Sequence, residues 1–351
     1  MEMLGTRSKL SAIGLDIDPH EFRAVQLMGG DRGQSVVAWA VFPRKEVSEG
    51  IDAEPGGDEL RWARGVLGRR GFLGSTVSIA SATSDCSSHV IELPPPESGA
   101  PLAQLARLEI ARARRANPED FEVGFWSLPA RGRTRETLAV ACPRSVVEDS
   151  IERYESGGFE PSGIDLLELA IVRGGRAGGE ALGAENEINA ALHIGWSASL
   201  AVLSVGDTIN YVRRVERGAA CVWKHARDRY RLSVDGAERV LHAGEGRKDT
   251  QLEPLVKACW ASVASELASE LDVAVSYVSH AFRTAPLGQV RISGYAAGNP
   301  VVNERLDAVI GIPVTAACAP QLHRALGEHG EPKGLAARLT PAYGLAARFD
   351  K

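Results

Sequence analysis

Two stretches of this sequence repeat one pattern of three strands, and this repeat constrains the fold more than any other feature. Residues 11–43 contain three apolar or alternating runs separated by turns, and residues 188–216 contain three more. Leu15–Pro19 aligns with Leu192–Trp196, so that Asp16 lies 177 residues before His193. Because helical patterns follow each copy, the repeat predicts two similar α/β lobes whose matching turns face each other across a cleft.

The bulk composition is that of an ordinary water-soluble globular protein. The chain has 351 residues, of which 44% are hydrophobic and 24% charged, and its formal net charge is −5. A slightly acidic chain has no general affinity for nucleic acid or anionic membranes. The basic run at 112–115 is interpreted as the solvated face of a helix.

Cysteine usage and hydropathy indicate a reducing compartment. The five cysteines are scattered and show no C-x-x-C spacing, which argues against a disulfide framework or structural zinc. Residues 1–9 are polar and lack the apolar core of a signal peptide, and no apolar run approaches a membrane span. We therefore expect a cytoplasmic protein.

Other segments complete the predicted architecture. A separate α+β unit follows the first repeat, with a helix at 101–115 whose apolar face is predicted to carry Leu102, Leu105, Leu108 and Ala111. Beyond the second repeat, helices are predicted at 215–230, 234–243, 255–282 and 301–310, strands at 289–293 and 313–317, and a last helix at 343–349. Two motifs of catalysis, G-x-S-x-G and H-E-x-x-H, are absent from the sequence.

Several short motifs, taken in order, resemble one known family. They are Ile13–Ile17, Val90–Pro94, Ser145–Asp149, Ile164–Ala170, the Ile194-Gly195 turn, Ile292–Gly294, Ile310–Val314 and Ala342–Ala346. Over nearly its whole length the chain resembles the actin-like ATPase superfamily and, within it, the PilM family of type IV pilus assembly proteins, relatives of FtsA and of the cytoplasmic part of GspL. The resemblance implies an α/β, duplicated actin-like (ribonuclease H-like) two-lobe fold with an inserted α+β subdomain in the first lobe.

The resemblance also implies a division of the chain. The first lobe would span 1–84, the inserted subdomain 85–163, a return and linker 164–187, the second lobe 188–341 with a helical subdomain at 213–288, and a C-terminal helix 342–351. A nucleotide cleft would lie between the lobes. Its binding residues would be Asp16, Gly195, Trp196, Ser197, Gly294 and Gly298, with Asp16 as the metal ligand only if Mg²⁺ is bound.

The first loop of this cleft departs from the pattern that the family needs. Asp16 matches an acidic position that holds Mg²⁺, although a buried acid capping a turn explains it equally well. Asp18 and Glu21 add negative charge where phosphates would lie, and Pro19 lacks an N–H donor. These residues weaken a phosphate site.

The other two loops depart as well. His193 replaces the second acid, and imidazole is a poor Mg²⁺ ligand. Trp196 places an indole where small residues would admit phosphate, either as a plug between the lobes or as a surface on which a ligand stacks. Tyr295 replaces a glycine of the adenosine turn. The sequence thus predicts a degenerate cleft in a pseudo-ATPase, where ATP and Mg²⁺ are doubtful cofactors and no catalytic residue is assigned.

The resemblance implies an adaptor function. Proteins of this family bind the cytoplasmic tail of a PilN-like inner-membrane protein and contact an assembly ATPase of the same pilus or type II secretion machine. The chain shows no C-terminal amphipathic membrane helix, so it is expected to be peripheral to the inner membrane through a partner. The alternative is an active actin-like ATPase or small-molecule kinase with unusual phosphate loops.

Overall fold

A computed structural model of the chain describes residues 9–30, 33–45, 54–81, 86–128, 136–176, 186–243, 251–329 and 333–348. Residues 177–185 of the predicted return and linker at 164–187, and the end of the predicted last helix, lie outside these ranges. Every structural statement below concerns the described residues.

The first repeat forms most of a six-stranded sheet. Its strands are β1 (Lys9–Leu10), β2 (Ile13–Ile17), β3 (Glu21–Gly30), β4 (Gly33–Pro43), β5 (Thr76–Ser81) and β9 (Glu160–Leu166). The order is β1–β3–β2–β5–β9, with β4 also paired to β3. Strands β2 to β4 pair antiparallel, whereas β5 and β9 are parallel to β2, as crossover connections require.

The second repeat builds an equivalent sheet of five strands. These are β10 (Ile188–Ile194), β11 (Ser199–Val205), β12 (Thr208–Val215), β13 (Leu287–Gly294) and β14 (Val314–Ala316), in the order β12–β11–β10–β13–β14. Asp16 pairs with Arg23 in the first copy, and His193 pairs with Leu200 in the second. Both pairs keep the 177-residue offset, so the repeat is confirmed residue by residue.

The inserted unit is a small antiparallel sheet with two helices. Strands β6 (Ser87–Glu92), β7 (Phe121–Ser127) and β8 (Glu136–Pro143) pair in the order β6–β8–β7, together with helices α2 (Leu102–Arg114) and α3 (Arg144–Ser156). The predicted apolar face of α2 is partly wrong. Ala111 is buried, together with Ala106 and Ile110, whereas Leu102 and Leu105 are half-buried and Leu108 is 52% exposed.

The other helices cover the two sheets. They are α1 (Gly57–Arg69), α4 (Leu167–Arg176), α5 (Ala219–Asp228), α6 (Val234–Leu241), α7 (Glu253–Ala281), α8 (Pro300–Ile310), α9 (Pro320–Glu328), α10 (Lys333–Arg338) and α11 (Thr340–Ala346). The helix predicted from residue 215 begins at Ala219 because β12 continues to Val215 and Gly218 precedes the first turn. Helices α9 and α10 were not predicted.

The last three helices pack on the first sheet. Side chains of α9 and α11, including Leu322 and Tyr343, form one buried cluster with Val25 and Leu27 of β3. Helix α11 also crosses β2 so closely that a Cβ at Gly14 would overlap the carbonyl oxygen of Ala342. Within the described ranges, none of the helices combines the length and hydropathy needed to cross a bilayer.

Candidate functional site

The two repeated turns lie on either side of one cavity between the lobes. Its volume is about 150 Å³, and it is lined from the first lobe by Asp16 and Asp18 and from the second by Gly195, Trp196 and Ser197. An apolar cavity of this volume holds a molecule the size of benzene.

A buried arginine organises the first-lobe side of the cavity. Arg23 is 2% exposed, and its Nε donates to Asp16 Oδ2 at 2.8 Å. Its Nη1 lies 2.9 Å from Asp18 Oδ2 and 3.1 Å from Glu21 Oε1. The antiparallel register places Arg23 directly across from Asp16, so the pairing of β2 and β3 creates the contact. The guanidinium group of Arg23 is thus in contact with three carboxylates.

This excess of carboxylates is electrostatically costly. Burial raises the pKa of Asp16, and the nearby Arg23 only partly offsets the effect. Burial likewise raises the pKa of Glu21, against the opposing charges of Arg338 and Arg23. Asp18 is stabilised differently, since its Oδ1 accepts the backbone N–H groups of His20 and Glu21 at 2.8 and 2.9 Å and fixes the turn.

The second-lobe side carries a neutral imidazole where the first lobe carries Asp16. His193 Nδ1 lies 3.0 Å from Ser293 Oγ, within hydrogen-bonding distance. Burial, together with the positive charge of Arg23, lowers the pKa of His193 from 6.5 to about 3. His193 is therefore uncharged at neutral pH.

Aromatic rings close the space between the turns. Trp196 is 7% exposed and stacks on His20 of the opposite lobe, with ring centroids 4.3 Å apart and planes within 3°. Tyr295 is fully buried beside Trp196 and donates its hydroxyl to Asp18 Oδ2 at 3.2 Å. Burial near Asp18 and Glu21 raises the pKa of Tyr295 well above 10, so the hydroxyl keeps its proton. Both contacts join the two lobes.

The predicted glycines occupy different places. The Gly195 N–H donates to Ala198 O at 3.1 Å, which closes the turn at the cavity. Gly294 has φ of +80°, and a Cβ there would overlap Ile194 O, so only glycine fits between β10 and β13. Gly298 is half-buried in the turn before α8, and neither Gly294 nor Gly298 lines the cavity.

Several site residues were missed by the sequence analysis. Arg23 stands within an apolar alternating strand, and its unusual position was a usable signal. His20 and Glu238 lie in separate lobes and make a contact of 3.0 Å that no local pattern reveals.

Comparisons with known proteins address the fold. No protein-family model and no curated protein sequence matches the chain. Among solved structures, it is similar to a chain of the PilM–PilN type IV pilus biogenesis complex, with 19% identity, a TM-score of 0.74, and coverage of 96% of this chain and 98% of that one. It is also similar to the ethanolamine utilization protein EutJ from Carboxydothermus hydrogenoformans, with 13% identity, a TM-score of 0.53, and coverage of 97% and 90%. These similarities, with the repeated sheets, establish the two-lobe actin-like fold that the sequence predicted.

Proposed function

We propose that this protein is a PilM-like adaptor that binds the cytoplasmic tail of a PilN-like inner-membrane protein. The observation that carries this proposal is the similarity to a chain of the PilM–PilN complex over nearly the whole length of both chains. The adaptor would be cytoplasmic, peripheral to the membrane through its partner, and in contact with an assembly ATPase. The predicted division into a first lobe with an inserted subdomain and a second lobe is part of the proposal.

The donor set of the cleft supports a protein that does not turn over ATP. A Mg²⁺–triphosphate needs carboxylates open to the metal and room for phosphates. Here Asp16 is paired with Arg23 at 2.8 Å, His193 is a neutral imidazole, and Trp196 fills the space between the turns. Asp18 and Glu21 would also repel phosphate. These residues do not fit the nucleotide, so we derive no hydrolytic step.

A second cavity is suited to a peptide. It has a volume of about 330 Å³ and lies between β7 of the inserted unit, helix α4 and the turn before β12. Trp126, Leu169, Val172 and Ile209 give it an apolar wall. Apolar side chains of a short tail would bind there by removing surface from water.

Arg176 supplies this cavity with hydrogen-bond donors. Its Nη1 lies 3.4 Å from Asp207 Oδ1, while its buried Nε and Nη2 have no hydrogen-bond partner among the residues that the structure describes. A buried donor without a partner costs free energy, which an incoming carbonyl or carboxylate would recover. Arg173, its neighbour, is already paired with Asp165 at 2.7 Å. We propose that the partner's tail lies in this cavity and accepts from Arg176.

Binding to a tail peptide tests the adaptor function. The full chain is titrated with a fluorescent peptide of the cytoplasmic tail of the PilN-like protein from the same organism. Saturable binding is expected, and Trp126→Ala and Arg176→Gln are each expected to weaken it by about tenfold or more. Arg61→Gln is the matched control because Arg61 is exposed and pairs with Asp58 on α1.

A nucleotide assay in parallel separates the two functions. With Mg²⁺ and ATP we expect no thermal stabilisation and no phosphate release above that of buffer. ATP turnover without peptide binding would overturn the adaptor proposal and favour an active ATPase or small-molecule kinase. If Trp126→Ala and Arg176→Gln both leave peptide binding unchanged, the tail binds elsewhere on the molecule.

A further inference from the structure

Three potential metal ligands lie together at the contact between the two lobes, outside the cavity between the two repeated turns. His20 follows β2 in the first lobe, Glu238 lies on α6 in the second, and His242 is the residue that caps the end of α6. One ligand atom from each of the three residues lies within 4.8 Å of the others. His20 is 5% exposed, and the other two are half-buried.

The distances between these atoms are close to those of a tetrahedral site. Glu238 Oε1 lies 3.0 Å from His20 Nε2, and Glu238 Oε2 lies 3.2 Å from His242 Nε2. Zinc bound to nitrogen and oxygen at about 2.0–2.2 Å would separate neighbouring ligands by roughly 3.3 Å. Glu238 and His242 are four residues apart, which places both on one face of the helix. The two distances end on different oxygens of Glu238, and the three ligand atoms lie within 4.8 Å of one another, so side-chain rotation would draw them together around one ion.

Carboxylates lie close together around these residues. Within the described part of the chain, Arg23 contacts Asp16, Asp18 and Glu21, and Arg338 lies between Glu21 and His242, which in turn contacts Glu238. A divalent cation held by Glu238 would add positive charge beside this group of carboxylates.

The chemistry of the ligands selects the metal. Two imidazoles and one carboxylate suit zinc and other borderline metals, whereas Mg²⁺ prefers oxygen ligands. We propose that His20, Glu238 and His242 bind one Zn²⁺ ion that ties the two lobes together, with water as the fourth ligand.

Arg338 is the group that opposes the metal. Its Nη1 lies 2.5 Å from His242 Nδ1 and 3.1 Å from His242 Nε2, and its Nε lies 3.6 Å from Glu21 Oε1. When zinc binds, the guanidinium keeps its contact with Glu21 and releases His242. Removing this positive charge should therefore strengthen zinc binding. The proposal can thus be tested with a variant whose affinity for zinc increases.

Zinc alone is the probe. The full chain, stripped of metal, is titrated with Zn²⁺ by calorimetry at about pH 7.5, where free histidine is neutral. We expect one ion per chain, a higher Tm, and a change in the fluorescence of Trp196, which stacks on His20. Co²⁺ in place of zinc should give the visible absorption of a tetrahedral site without a thiolate charge-transfer band.

Variants assign the ligands. Glu238→Gln and His242→Asn are expected to weaken binding by at least about tenfold, and Arg338→Gln to strengthen it. Two controls should leave binding unchanged. His329→Asn removes an exposed imidazole, and Cys86→Ser breaks a cysteine pair in which Cys86 and Cys142 lie 3.5 and 3.6 Å from Ser81 Oγ.

The outcomes that overturn the proposal are specific. They are absence of stoichiometric binding by the wild-type chain, full binding by Glu238→Gln, loss of binding in Cys86→Ser, or an octahedral or thiolate spectrum with Co²⁺. The spectrum is measured on the wild-type chain, so it decides the question even if a ligand variant fails to fold.

Discussion

The two repeated turns have the same backbone and opposite electrostatics. In both, four residues lie between the last paired residues of two antiparallel strands, Asp18–Glu21 in the first lobe and Gly195–Ala198 in the second. The first turn carries a buried ion network around Arg23, whereas the matching position in the second lobe is the apolar Leu200. Apolar patterning is therefore sufficient to build the repeat, and charge is free to diverge at its turns.

Burial acts in opposite directions on the two matched titratable groups. It raises the pKa of Asp16 and lowers that of His193, because a low dielectric disfavours the charged form of either group. In the first lobe, the carboxyl group of Asp16 is paired with the guanidinium of Arg23. In the second lobe, the imidazole of His193 is neutral and needs no counter-charge.

The largest effect is expected from removing the buried guanidinium. Arg23→Met leaves Asp16, Asp18 and Glu21 buried together without their shared cation. Breaking a buried ion pair by deleting one partner costs about 3–5 kcal/mol. Urea denaturation should show this loss in the free energy of unfolding.

Leu200→Met is the matched control at the equivalent position of the second lobe. An apolar exchange of similar volume should cost less than about 1.5 kcal/mol. Equal losses in the two variants would mean that the difference between the turns is one of packing alone. Adding Asp16→Asn to Arg23→Met should recover part of the stability, because one unpaired charge is removed.

The pH dependence of the free energy of unfolding distinguishes the contribution of His193 from that of Asp16. The pKa of His193 is about 3 in the folded chain and about 6.5 when unfolded, so its contribution is fully present above pH 6.5. Stability then falls as the pH drops from 6.5 towards 3, by up to about 1.4 kcal/mol per pH unit. In His193→Asn, where the hydrogen bond to Ser293 can persist, this part of the pH dependence should disappear, a relative gain of about 2 kcal/mol by about pH 5.

Asp16→Asn provides the opposite sign. The raised pKa of Asp16 contributes stability that is present below its unfolded value and is lost as the pH rises. Relative to the wild type, Asp16→Asn should therefore become more stable as the pH rises, and His193→Asn should become more stable as the pH falls. Urea midpoints measured across the range test both. Parallel curves for wild type and His193→Asn would contradict a depressed histidine pKa.

The sequence was informative about local structure and about the repeat, but less so about contacts between distant residues. Turn residues and apolar patterns predicted the strands of both copies. Burial alternates along β4, whereas β10 and β11 are buried almost throughout and appear in the sequence as continuous apolar runs. The face of α2 was predicted only in part, since Ala111 is buried but Leu108 is apolar yet exposed. Helices α9 and α10 are short, so their patterns are weak.

The candidate site shows the same limit. Positions such as Asp16, His193 and Trp196 were found because the repeat places them at matching turns. The partners that decide their chemistry come from elsewhere in the chain. Tyr295 reaches Asp18 across 277 residues, and no period or motif records such a contact.

The hydrogen bond between Tyr295 and Asp18 gives the smallest expected effect and the sharpest test of how the lobes are joined. Asp18 keeps its contacts with Arg23 and with two backbone N–H groups when the phenol is removed. Tyr295→Phe should therefore cost only about 1–2 kcal/mol, the value of one hydrogen bond to a charged acceptor. Tyr343→Phe is the control, because the hydroxyl of Tyr343 bonds to Gln34 on the first-lobe sheet at 3.4 Å.

Amide hydrogen exchange tests whether the bond to Asp18 joins the lobes. If it does, Tyr295→Phe should speed exchange at residues 18–21, and Tyr343→Phe should not. Unchanged exchange in both variants would mean that the stack of Trp196 on His20 is sufficient to hold the turns together.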